Sequence, residues 1–295
     1  MIIDIHAHVY AFPRIRSSPE TTPFLSDTEQ IAIMDAKGVD RAVILPLISP
    51  VPGTEPQSVG EIMLICERHP GRFIPFCNLE PRIGKRPSSV TPKDYLYTLE
   101  QFRDAGCRGL GELTTRIPFD DPYLLALFAA CEQVGFPITF HTTTPETDGY
   151  GVLDEIGLPR FESVLKAFPK LRFFGHSQAF WSEIGTDFTA QEKVGRPQGP
   201  VRPGGRLVEL FRRYPNLYGD ISAGSGFNAL HRDPEHAFRF IEEFQDRILL
   251  GLDYCSPRND MQHIEWLRAQ RDAGHIRPDV LEKIFWRNAT AALGL

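Results

Sequence analysis

The chain has 295 residues, of which 42% are hydrophobic, and a formal net charge of −6. That length supports a large buried core and fits either one large α/β barrel or two ordinary domains. Lysine and arginine are scattered without a basic run, and no stretch approaches the ~18 apolar residues of a membrane span, so neither nucleic acid nor a membrane is expected as a partner.

The first apolar run, MIIDI, has no basic n-region or apolar h-region before it, and a cytoplasmic protein is expected. It leads into His6-Ala-His8. Successive side chains of a strand point to opposite faces, so a His-x-His sends both imidazoles toward one point. Ser26-Asp-Thr-Glu29 then reads as a capping box ahead of a helix over IAIMDAKG. Further apolar runs follow at 41–47 (RAVILPL), 72–76 (RFIPF) and 107–113 (CRGLGEL), the last holding Glu112. Asp121-Pro122 opens a helical stretch that stops at Gly135. The run 137–141 (PITFH) ends on His141, 171–176 (LRFFGH) on His176 and 248–253 (ILLGLD) on Asp253, while 217–222 (LYGDIS) carries Asp220.

These eight runs recur at about the spacing of one βα unit and are near-continuously apolar, as strands are when helices cover both faces of a parallel sheet. No Pro/Gly/Ser-rich linker separates them. The fold expected is therefore one (β/α)8 TIM barrel over residues 1–295, with its site at the C-terminal ends of the strands. A doubly wound open sheet is the alternative. It would not bring the first and last strands together, as a site shared by His6, His8 and Asp253 requires.

Nine histidines make a His-x-His a weak signal alone. Placement strengthens it, because His141, His176 and Asp253 also fall where apolar runs end. The bland reading makes them capping or hydrogen-bonded core groups. The functional reading is a divalent metal site, since imidazoles and a carboxylate are what a borderline ion accepts. Zinc is the first expectation, with manganese and iron as alternatives. Five cysteines without a C-x-x-C argue against a disulfide framework or a thiolate zinc site; Cys255, two residues past Asp253, lies near enough to see the site.

Read in order, His6-Ala-His8, Glu112 in GLGEL, His141, His176 and Asp253 resemble the amidohydrolase superfamily, and within it the amidohydrolase-2 branch of hydrolases and of aminocarboxymuconate-semialdehyde and resorcylate-type decarboxylases. The similarity extends to the closing KIFWRNATAALGL, which looks like the branch's final helix. The resemblance implies that His6, His8, His141 and Asp253 hold a metal and that His176 is a catalytic group facing the substrate. Three imidazoles and one carboxylate leave an open position for water, whose proton Asp253 can accept, while His176 polarises a carbonyl or moves a proton. Glu112 stands where superfamily members with two metals place a bridging group; otherwise it hydrogen-bonds a neighbouring ligand. Decarboxylases of the branch tend to show His-Pro after the fifth strand, and this chain has His141-Thr142-Thr143 instead.

Long connections at 142–159 and 177–204 follow ligand-bearing strands and read as lids, substrate-binding segments or decoration. Arg116 and Arg258 are placed to hold a substrate carboxylate, or are solvated surface. Trp181, with Phe180 and Tyr150, could floor an apolar pocket or be structural. His69, His231, His236, His263 and His275 fall in helices or at their ends and read as surface or capping groups. Asp220 orients a ligand or satisfies a backbone amide. The leading expectation is a metal-dependent hydrolase of a small amide, lactone or ester, and the second a non-oxidative decarboxylase on the same site. The third is a non-catalytic metal-binding barrel. The partner expected is a small-molecule substrate, with a homo-oligomer left open.

Overall fold

A computed structural model describes residues 1–13, 22–49, 56–186 and 188–295. Eight parallel strands sit where the apolar runs predict them: β1 (Ile3–Ala7), β2 (Arg41–Ile44), β3 (Phe73–Pro75), β4 (Leu110–Leu113), β5 (Ile138–Thr143), β6 (Phe173–His176), β7 (Leu217–Asp220) and β8 (Ile248–Leu249). Continuous ladders join β1 to β2 to β3, and β4 through β8 in order. The two seams close by shorter contacts. Cys77, just past β3, bridges Leu110 of β4, and Ala7 of β1 bridges Tyr254 beyond β8. Amides reinforce the second seam: Ile5 N–H donates to Leu250 O at 2.9 Å and Asp253 N–H to His6 O at 2.8 Å. The first and last strands are thus neighbours, as a barrel demands and an open sheet forbids.

Helix boundaries follow local chemistry. Ser26 and Glu29 form the capping box of helix Asp27–Lys37, which ends on Gly38 at φ 71°. Asp121 caps helix Pro122–Val134 through Tyr123 N–H, and Gly135 stops it at φ 83°. The closing segment is less regular than one helix. A π-helical turn, Lys283–Arg287, lies between helices Pro278–Glu282 and Asn288–Leu293.

Most of the core lies between strands and helices, where Phe140 meets Phe119 and Phe161. A second cluster gathers Val43, Leu45, Ile74, Phe76, Phe174 and Leu249, which alternate with the helix-facing residues. Such alternate positions fill a barrel's interior and leave its C-terminal mouth for polar side chains. Among the described residues, no helix is long and apolar enough to cross a membrane.

Candidate metal centre

The strand ends bring the candidate residues together. His6 and His8 leave the end of β1, Glu112 stands on β4, His141 on β5, His176 on β6, and Asp253 follows β8. All are buried except Asp253, whose side chain keeps 18% of its surface. Asp253 adopts φ 57°, a left-handed conformation uncommon for a non-glycine residue and one that recurs at functional sites.

The imidazoles of His6 and His8 are fixed by their outward nitrogens. His6 Nδ1–H donates to Asp220 Oδ2 at 2.6 Å, and His8 Nδ1–H donates to Leu45 O at 2.9 Å. In the neutral rings both Nε2 atoms then carry lone pairs, and they face each other across 3.2 Å. Two acceptors held so close in a buried site need a cation or proton between them. Glu112 Oε2 lies 3.3 Å from His8 Nε2 and 3.8 Å from His6 Nε2; Asp253 Oδ1 lies 3.6 and 3.8 Å from the same atoms. Four donors at ~2.1 Å around a tetrahedral ion stand about 3.4 Å apart, so these separations bracket the spacing a zinc-sized ion requires.

Glu112 turns its second oxygen the other way. Oε1 accepts from His141 Nδ1 at 3.0 Å and lies 3.9 Å from His176 Nε2. The donor atoms fall into overlapping groups, His6–His8–Glu112 and Glu112–His141–His176, with Asp253 joining His6 and His176. Glu112 is therefore the hinge of the cluster, and His141 sits with it and His176 rather than beside the His6–His8 pair.

Electrostatics agree with a site built for positive charge. Burial opposes a proton on His6, but Asp220, Asp253 and Glu112 together hold its pKa up to about 10. Burial raises the Asp253 carboxyl, and Glu112, also buried, is held well below the usual carboxylate range by the histidines around it. Burial and the neighbouring His6 push His176 down to about 3, so it is neutral at pH 7. Its Nδ1 pairs with Ser222 Oγ at 2.8 Å.

The sequence left Asp220 open between two roles, and the structure gives it both. Oδ2 orients His6 while Oδ1 accepts Ser222 N–H at 3.0 Å. Gly251 makes room for this, since a Cβ there would stand 2.3 Å from Asp220 Oδ1. Ser222 and Asp4 escaped sequence reasoning. Asp4 Oδ1 accepts the amides of His6 and Leu252, tying β1 to the segment after β8 beneath the site. The parity of Asp4 with His6 and His8 was the available signal.

A cavity of about 130 Å³ opens onto the cluster, with Phe24, Leu47, Tyr150 and Cys255 as walls over His8, Glu112, His141, His176 and Asp253. Cys255 thus does face the site. The other expected substrate contacts lie elsewhere. Trp181 is buried beneath β7, its indole N–H donating to Asp220 O at 2.8 Å, because the short helix Gln178–Ser182 turns it inward. Arg116 spends its guanidinium on the carbonyls of Gly149 and Thr147, and Arg258 is exposed outside the cavity wall. Of the five helical histidines, His263 is no surface group: it is 2% exposed and donates to Ala223 O at 3.1 Å.

An eight-stranded α/β barrel with clustered imidazoles and carboxylates at the C-terminal strand ends defines a barrel protein with a candidate metal site. The chain belongs to the amidohydrolase family, whose model matches residues 3–295. A comparison with the curated proteins finds no match. Among solved structures, the chain is similar to an uncharacterized TIM-barrel protein from Bordetella bronchiseptica, at 22% identity and TM-score 0.65 over 99% of this chain and 98% of that one. It is similar to an amidohydrolase from Burkholderia multivorans with bound zinc, at 12% identity and TM-score 0.67 over 100% and 99%. It is also similar to a dihydroxybenzoic acid decarboxylase from Polaromonas with bound manganese and an inhibitor, at 14% identity and TM-score 0.60 over 100% and 97%. At these identities the likeness shows the fold.

Proposed function

We propose that the protein is a metal-dependent hydrolase of a small carbonyl substrate, an amide, lactone or ester. The observation that carries this reading is the pair of Nε2 atoms, 3.2 Å apart and faced by Glu112 and Asp253. His6, His8 and Asp253 would hold the ion with Glu112 or His141, zinc being the first choice. Bound there, a divalent ion supplies a Lewis acid that polarises a carbonyl and lowers the pKa of a water to around 7. Asp253 keeps one oxygen toward the His6–His8 pair and the other 3.9 Å from His176 Nε2. It would accept the proton of the attacking water and pass it on. His176 is neutral, braced by Ser222, and fit to donate a hydrogen bond to the substrate or carry that proton to the leaving group.

Glu112 supports a variant with two ions, because each of its oxygens faces a different histidine group. A decarboxylase is the second reading of the same site, favoured by the likeness to the manganese-bearing decarboxylase fold. There His176 or Asp253 would deliver the proton that replaces carbon dioxide, and no water need attack. The test is release of acid against release of carbon dioxide by metal-loaded protein over lactones, esters, amides and hydroxybenzoates. Hydrolysis should rise with pH through an apparent pKa near ~7 and then level off. His176→Asn should lower turnover roughly 10²-fold with metal content intact. Loss of a metal equivalent in that variant would make His176 a ligand and support the two-ion site.

A further inference from the structure

Tyr150 reaches the metal-site cavity from the long connection after β5. Its ring stands 4.4 Å from the ring of His141, inclined by 46°, and it lines the metal cavity. Tyr150 also lines a second cavity of about 180 Å³, where Thr143, Asp148 and Gln178 contribute polar surface. The two cavities thus share Tyr150 and His141 in their walls. The Tyr150 hydroxyl has no protein hydrogen-bond partner among the described residues.

The backbone around Tyr150 is fixed on both sides. Arg116 grips the carbonyls of Gly149 at 2.6 Å and Thr147 at 2.5 Å, and Gly151 N–H donates to Thr114 O at 3.0 Å. Gly151 sits at φ 123°, and a Cβ there would come within 2.9 Å of His141 O, so only glycine lets the segment pass this close to the site. A loop stapled this way holds its aromatic side chain in one place; a decorative loop needs no such bracing.

We propose that Tyr150 is a substrate-contacting residue: its O–H donates a hydrogen bond to an oxygen of the molecule bound at the His6–His8 centre, and its ring limits the size of that molecule. Arg116 is the positioning residue that holds Tyr150 there. The inference rests on the metal reading above.

The test uses whole protein loaded with cobalt(II) and two oxygen-chelating probes, acetohydroxamic acid and the larger 4-phenylbenzohydroxamic acid, followed by the visible cobalt absorption. Tyr150→Phe should weaken acetohydroxamate about three- to tenfold, the range of one uncharged hydrogen bond. Tyr150→Ala should shift the affinity ratio toward the larger probe by at least about tenfold, and Arg116→Lys, which loses the two-pronged grip, should shift it part of the way. Tyr150 is 41% exposed, so Tyr150→Phe and Tyr150→Ala should unfold at the wild-type temperature. Cobalt absorption present, with both affinities unchanged in all three variants, overturns the inference and leaves the metal reading standing. Absence of cobalt absorption overturns the metal reading, and the role of Tyr150 falls with it.

Discussion

Replacing Asp220 with asparagine separates a tuned metal centre from a chance gathering of polar groups. Asp220 is fully buried and uses both oxygens, Oδ2 for His6 Nδ1–H at 2.6 Å and Oδ1 for Ser222 N–H at 3.0 Å. An amide of the same shape must turn its NH2 toward one of these donors, so one contact becomes donor against donor in either orientation. The lost charge also removes the anion that favours the Nδ1–H tautomer of His6, and with it the basicity of Nε2. Partners of this kind are worth 10- to 100-fold in metal affinity, or roughly 1.4 to 2.7 kcal/mol. The assay is competition for zinc against a chromophoric chelator, with Asp246→Asn as control, because Asp246 lies on the surface beside Lys283. A loss in that range for Asp220→Asn alone is expected. Zinc affinity within twofold of wild type would mean that His6 does not use Nε2 for a metal.

Gly251→Ala should act on the same group by contact, since the new methyl would meet Asp220 Oδ1 and lie 2.7 Å from Ser222 Cβ. A stability loss of about 1–3 kcal/mol in urea, together with weakened zinc binding, is expected, and a variant normal in both would contradict the packing. Lys193 is fully buried, 2.8 Å from Glu183 Oε1 and 2.7 Å from Glu155 O, and clasps the two long connections together. Lys193→Met strands the Glu183 charge and should cost about 3–5 kcal/mol, part of which Glu183→Leu in the same chain should restore; a cost below 1 kcal/mol would contradict a charged pair. His263 is neutral because burial lowers its pKa from 6.5 to about 4. The unfolded chain therefore binds the proton more readily, so this contribution is complete above pH 6.5 and is lost as pH falls toward 4. It amounts to about 3 kcal/mol at most. Urea midpoints from pH 7 to 4 should fall more steeply for wild type than for His263→Gln; parallel curves would refute the assignment.

Strand periodicity made most of the cluster readable. Alternation along β1 aims His6 and His8 together, and the rule that barrel sites collect at C-terminal strand ends selects His141, His176 and Asp253 from the remaining polar residues. Barrel closure was legible through the same residues, because Asp253 can meet His6 only if β8 flanks β1. The supporting groups were less legible. Nothing local says that Asp220 reaches His6, that Asp4 ties β1 to Leu252, or that Lys193 is buried, since each contact joins residues far apart in sequence. Loop side chains were least legible. Trp181, Phe180 and Tyr150 look alike in sequence, yet the inward turn at Gln178–Ser182 buries the first two while the Arg116 grip brings Tyr150 to the cavity. Arg116 itself was left between a substrate contact and solvated surface, and meets two carbonyls whose position depends on the loop's path.

Anomalous diffraction at the zinc edge from crystals of zinc-loaded protein tests the central claim most directly. A full-occupancy peak is expected about 2.0–2.2 Å from His6 Nε2, His8 Nε2 and a carboxylate oxygen of Asp253. A second peak between Glu112, His141 and His176 would add the bridged form. No peak among these residues, or a peak with His6 and His8 left outside ligand distance, would contradict that claim.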